Sequence, residues 1–290
     1  MKNLIATALG SYLNTTALIA PKLAGSHGFK IWCYPFRTPM KTYHKEFLNS
    51  ADKFSFQHNN TRIQGYRWGD GAKKVLFLHG WQSHSFRWKN YIQALPHEEY
   101  TIYAIDAPGH GLSGGKMLNV VIYSGVIQQF IEATGEIHAV VAHSIGSFSI
   151  LHALHHTPFL PVNRLVLMAP PGNASDFILV LKEKLKLKDR TIRATLDYFE
   201  KTLKKSIDYY STESFASSLT IPGLIVHDLD DDETPYSHAL KVNQAWKNSA
   251  LVTTSGLKHN LKSTEVTTVV NNYIEAEKDA IDKPITSSHH

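Results

Sequence analysis

From about residue 54 onward, short apolar runs alternate with longer amphipathic stretches. FSFQH and TRIQGYRW flank His58-Asn59-Asn60 and read as a hairpin. KVLFLHG (74–80), TIYAIDAPG (101–109), HAVVAHS (138–144), RLVLMAP (164–170) and GLIVHDL (223–229) are nearly continuous apolar runs. That is the pattern of strands buried on both faces. ALVTTS (250–255) is a shorter sixth run, and helical stretches near 85–95, 118–133, 145–156, 236–247 and 264–278 separate them. This alternation predicts an α/β fold with a mostly parallel central sheet and helices on both faces. The interval 172–218 breaks it: LKEKLKLKDR and TIRATLDYFEKTLKKS are amphipathic, and no strand pattern accompanies them. It reads as an inserted helical cap. The expected organisation is a helical extension at 1–53, a core at 54–171 and 219–278, the cap at 172–218 and a tail at 279–290. Nothing repeats at a fixed period.

Composition narrows the function. Of 290 residues, 43% are hydrophobic, enough for a large core and against a disordered chain. Lys+Arg is 30 against Asp+Glu 25, a formal charge of +5 with the signs mixed along the chain. Lys182–Lys188 therefore reads as a solvated helical face, and no nucleic-acid partner is expected. The lone Cys33 excludes an intrachain disulfide and a cysteine zinc cluster, and it suits a reducing, cytoplasmic setting. No run reaches the roughly 18 apolar residues of a membrane span. Near the N-terminus, Asn14, Thr15 and Thr16 interrupt the run LIATALGSYL, which reads as a helix packed on the domain and not as an export signal. The closing SSHH is left out as either native or a tag.

The chemistry gathers at Ala142-His143-Ser144-Ile145-Gly146-Ser147, where a strand meets the apolar stretch SFSILHAL. A serine on such a sharp turn projects its oxygen out of the sheet. Small residues two before and two after it, Ala142 and Gly146, let strand and helix pass closely. The N–H of Ile145 lies at a helix N-terminus, where unpaired donors and the dipole favour an oxyanion. The bland alternative is a serine that merely caps a helix.

These residues resemble the α/β-hydrolase family, in its serine esterase and lipase-like branch. The family's elbow is G-x-S-x-G, and A-H-S-I-G differs by one methyl. His79-Gly80-Trp81 is similar to the family's H-G-x turn, which implies a second oxyanion donor at the N–H of Trp81. Asp106-Ala107-Pro108-Gly109-His110-Gly111 looks like its D-x-P-G-H-G segment, a structural turn with no catalytic role. GLIVHDLDDDETP resembles the segment in which the acid stands four residues before a proline, which implies Asp231. Asp230 is the runner-up, and Asp228 and Asp232 compete. His259, in Gly256-Leu257-Lys258-His259-Asn260, matches the family's histidine. The order Ser144, Asp231, His259 is the family's order. A serine at 144 disfavours the branches with an aspartate nucleophile, the haloalkane dehalogenases and epoxide hydrolases.

The resemblance implies a serine hydrolase, carboxylesterase-like, cleaving an ester-type acyl bond of a small molecule through an acyl-enzyme on Ser144. Asp231 and His259 complete the catalytic set, and Trp81 and Ile145 contact the substrate oxygen. A thioesterase, acyltransferase or peptidase on the same triad stays open. So do a non-catalytic binding protein of this fold and membrane-surface association through the N-terminal and lysine-rich helices. No cofactor or metal is expected, and the oligomeric state is left open. The pocket is expected to involve the cap together with Gln82, Phe86 and Trp88. Three other signals are set aside. G-x-G-x-x-G at 109–114 belongs to the D-x-P-G-H-G turn. Asp228, Asp230 and Asp232 imitate a calcium loop, but Glu233 and Ala239 occupy its required glycine and glutamate positions. His152 and His156 have i, i+4 spacing, yet lack the glutamate of a zinc helix and read as surface histidines.

Overall fold

A computed structural model describes residues 2–277. The strands are Asp52–His58 (β1), Thr61–Trp68 (β2), Lys73–Leu78 (β3), Tyr100–Ile105 (β4), Ala139–His143 (β5), Leu165–Met168 (β6), Gly223–Asp228 (β7) and Ser249–Thr254 (β8). The helices are Lys2–Ile19 (α1), Pro21–Trp32 (α2), Thr42–Leu48 (α3), Lys89–Ala94 (α4), Val120–Thr134 (α5), Ile145–His156 (α6), Ala174–Leu185 (α7), Asp189–Leu203 (α8), Thr212–Ala216 (α9), Tyr236–Ala245 (α10) and Thr264–Glu275 (α11). The sheet order is β1-β2-β4-β3-β5-β6-β7-β8. β1 and β2 form the antiparallel hairpin, β2 runs antiparallel to β4, and every other pairing is parallel. Every residue of β5, β6 and β7 is buried, as their unbroken apolar runs require.

Some element ends differ from the sequence pattern. The helix expected from 118 begins at Val120, because the Asn119 side chain accepts the N–H of Ile122 at 2.9 Å and caps it. The stretch 85–95 divides into a 3₁₀ turn, Ser85–Trp88, and then α4. The last helix ends at Glu275, and the predicted tail at 279–290 lies outside the described residues.

The chain forms two compact units. The larger contains Pro35–Pro171 and the chain from Thr212 onward, including the whole sheet. Its core packs Phe77, Val141, Val166, Val226 and Trp88 with residues of α11 such as Val270 and Ile274. The smaller unit joins the chain up to Tyr34 to Gly172–Ser211. Within it, Leu13 packs on Leu185 and Leu187. Asn14, the polar break in the N-terminal run, gives its amide N–H to Lys186 O at 3.1 Å. Its carbonyl accepts the Lys188 N–H and the Thr191 hydroxyl, each at 2.8 Å. Among the described residues no helix is long and apolar enough to cross a membrane.

Candidate active site

Successive strands β3 and β4 lie side by side, and β5 then returns to the opposite side of β3. In a parallel sheet such a reversal opens a crevice at the carboxyl ends of the strands. The segments 79–82 and 144–147 leave β3 and β5 at that point. Ser144 sits at the apex of the second with φ 53° and ψ −122°, a left-handed conformation that a side chain adopts only under strain. Packing holds it there. A Cβ on Gly146 would meet Leu78 O at 2.7 Å and His79 O at 2.9 Å, so only glycine lets α6 start this close to β3. The Ser144 N–H donates to Met168 O at 3.0 Å, and the Ser147 hydroxyl to Ala142 O at 2.9 Å.

The preceding segment approaches the same turn. A Cβ on Gly80 would lie 2.6 Å from His143 Nδ1 and 3.0 Å from Ser144 Cβ. On the other side of Trp81, the Gln82 N–H donates to His110 Nε2 at 3.0 Å, and His110 Nδ1–H donates to Pro108 O at 2.9 Å. Burial lowers the pKa of His110, keeping it neutral and able to accept. Trp81 is thus fixed from both sides, and the D-x-P-G-H-G turn is the support. Its Asp106 accepts the Ser85 N–H and hydroxyl at 2.9 and 2.7 Å and the Leu112 N–H at 2.9 Å.

The carboxylates of GLIVHDLDDDETP divide by partner. Asp231 Oδ2 stands 2.9 Å from His259 Nδ1. The same oxygen accepts the Thr234 hydroxyl at 2.8 Å, and Oδ1 accepts the N–H groups of Glu233 and Thr234 at 2.9 Å each. Burial opposes its charge, but the nearby His227 ring and hydrogen bonds from His259 and the Thr234 N–H outweigh that and hold it well below the usual carboxylate range. An ionised carboxylate only accepts, so the shared proton is on His259 Nδ1 and Nε2 is left as the basic nitrogen. Asp230 instead accepts the Ser255 hydroxyl at 3.0 Å and the Gly256 N–H at 2.8 Å. Asp228 accepts the Thr254 hydroxyl at 2.6 Å and the Leu257 N–H at 3.0 Å.

Sequence reasoning missed several supporting residues. His227, fully buried, gives its Nε2–H to Thr234 O at 2.7 Å, with Asp231 Oδ2 at 3.3 Å. His143, the variable residue of the elbow, donates Nε2–H to the His259 carbonyl at 2.8 Å. Burial, then the charges of Arg87 and His259, lower its pKa far below the ordinary histidine value. Their only sequence signal is position: His143 directly precedes Ser144, and His227 stands four residues before Asp231.

Ser144 and His259 line one cavity of about 360 Å³, with Trp81, Gln82, His143, Phe86, Arg87 and Lys262 also on its wall. Trp88, expected there, is instead fully buried, with its ring 5.1 Å from that of Phe77. Its place on the inward face of the 3₁₀ turn explains the correction. His152 is also buried, against the expectation of a surface position, with Nδ1 2.8 Å from the Ser124 hydroxyl. Among the described residues no group of three His, Cys, Asp or Glu side chains could hold a metal ion.

Over about three quarters of the chain the fold matches solved structures. An esterase from Rhodococcus sp. ECU1013 is 17% identical, with a TM-score of 0.59, over 78% of this chain and 99% of that one. The chain has the α/β-hydrolase fold. The thioesterase domain from the curacin biosynthetic pathway shares this α/β-hydrolase fold at 15% identity and TM-score 0.57, over 78% of this chain and 99% of that one. A serine hydrolase from Cycloclasticus zankles does so at 18% identity and TM-score 0.58, over 77% and 98%. The family model for serine aminopeptidase, S33, matches residues 70–211. A curated relative, the dihydrolipoyllysine-residue acetyltransferase component of the acetoin cleaving system of Cupriavidus necator, is 32% identical over 114 residues. That match spans 38% of this chain and 30% of the relative's length.

Proposed function

We propose that the protein is a serine hydrolase that cleaves ester-type acyl bonds of small molecules, as a carboxylesterase does. The observation that carries this reading is the 2.9 Å contact of His259 Nδ1 with Asp231, in a cavity that the strained Ser144 also lines. Ser144 Oγ attacks the carbonyl carbon while His259 Nε2 takes its proton. Asp231 holds the imidazole in the Nδ1–H tautomer and stabilises the imidazolium. The N–H groups of Trp81 and Ile145 receive the oxyanion. Collapse breaks the bond to the alcohol oxygen, which leaves with the proton from His259. Water, deprotonated by the same nitrogen, then releases the acid and restores Ser144. Cys33 is the one cysteine of the sequence, so no intrachain disulfide forms, which supports a reducing compartment such as the cytoplasm.

Hydrolysis of short-chain p-nitrophenyl esters by the wild type and by Ser144→Ala tests this reading. Turnover in the wild type alone is expected. Equal rates in both proteins would remove Ser144 from the mechanism.

A further inference from the structure

The cavity wall carries a cation that the proposed chemistry does not use. Arg87 lies in the 3₁₀ turn beside Trp81 and His84, with its guanidinium 5.4 Å from the Trp88 ring centre. Nη2 donates to Asn260 O at 2.7 Å, Nε is buried without a partner, and Nη1 makes no hydrogen bond to the described residues. Among the described residues no carboxylate stands within 4.0 Å of the group, and Glu233, on the same wall, pairs with neither Arg87 nor Lys262. Burial pushes the Arg87 guanidinium down to about 10, still well above neutrality, so it keeps its charge.

The buried Arg164 shows how a structural arginine is treated in this molecule. Its Nη1 donates to three carbonyls at the end of α11: Tyr273 at 2.9 Å, Ile274 at 3.2 Å and Ala276 at 2.7 Å. A helix C-terminus compensates a cation. Arg87 has one carbonyl and an aromatic face. Arg87 is half-buried with its Nε enclosed, so its charge is only partly compensated by the protein, and the missing anion fits the cavity side. The exposed Lys262 ammonium adds a second cation to that wall.

We infer that Arg87 and Lys262 form an anion subsite beside Ser144, which selects esters bearing a carboxylate on either the acyl or the alcohol part. The inference rests on the hydrolase reading and narrows its substrate class. A guanidinium suits the purpose because it stays charged and directs planar donors at a carboxylate. Each charged hydrogen bond to the substrate is worth about a tenfold gain or more.

Paired esters test it at low ionic strength. For the acyl side, mono-4-nitrophenyl glutarate is compared with 4-nitrophenyl butyrate. For the alcohol side, 4-acetoxybenzoate is compared with phenyl acetate. One anionic ester is expected to exceed its neutral partner about tenfold in kcat/KM, mainly through KM, and added salt should shrink that ratio. Arg87→Gln should collapse the ratio, Arg87→Lys should restore part of it, and Lys262→Gln should reduce it less. A wild-type ratio near one in both pairs would overturn the subsite. So would an Arg87→Gln variant that lowers all four rates alike, since support of the Asn260 loop would explain that. If no ester is turned over, the hydrolase reading has failed, and calorimetric titration with glutarate and 4-hydroxybenzoate reads the subsite directly. Saturable binding lost in Arg87→Gln supports it, and absence of saturable binding by the wild type overturns it.

Discussion

The turn that carries Ser144 and the loop that carries Asp231 are held in different ways. Ser144 is fixed by contact: Gly146 touches the backbone of β3, Gly80 touches the elbow, and the strained φ persists because nothing can move. Asp231 and His259 are fixed by charge and hydrogen bonds. Asp228 and Asp230 tie 254–257 to the end of β7, while Asp231 takes the histidine. Packing tolerates no added atom, whereas a polar network tolerates the loss of a member that does not touch the histidine. The Ser144 turn should therefore fail through sterics and the Asp231 loop through charge.

The largest effect expected is that of Ser144→Ala, with ester turnover down by about 10⁶-fold and the fold kept, as steady-state kinetics and circular dichroism would read. Asp231→Asn should follow at about 10⁴-fold in kcat, because the amide no longer holds His259 in the Nδ1–H tautomer. Gly146→Ala should destabilise by about 1–3 kcal/mol in urea titration, since its methyl meets the carbonyl oxygens of Leu78 and His79 at the end of β3. A stable Gly146→Ala would mean that contact does not hold the elbow. Asp230→Asn should weaken stability by about 1 kcal/mol and leave turnover unchanged. A collapse of turnover in that variant would make Asp230 the working acid and reverse the division of roles.

The pH dependence of stability sharpens the same contrast. The folded Asp231 carboxyl lies below its unfolded value of about 3.9. Between those values the unfolded chain binds more protons, so stability rises with pH. The contribution of Asp231 is complete above about pH 4 and is lost as pH falls below it. Urea midpoints of wild type and Asp231→Asn should therefore converge on acidification below that point. A difference constant with pH would mean that the carboxylate is not held ionised.

Much of this was legible because it is local. β3, β5, β6 and β7 are buried on both faces and announce themselves as unbroken apolar runs. The elbow is legible because close packing restricts residue size at fixed offsets from Ser144. The partner of His259 was ambiguous because four aspartates in five positions share one charge pattern, and only the fold shows that Asp231 faces it. The pairing of Asn14 with Lys186, Lys188 and Thr191 left no local trace, since the partners lie more than 170 residues apart. Trp88 misled because an aromatic residue near a pocket and one beneath it read alike.

Covalent labelling tests the central claim most directly. A fluorophosphonate reacts with a serine hydroxyl activated by an adjacent base, and peptide mass spectrometry locates the adduct. Stoichiometric modification of the peptide containing Ser144, abolished in His259→Ala, is the expected result. A folded protein that stays unlabelled at Ser144, or labels there equally well without His259, would contradict it.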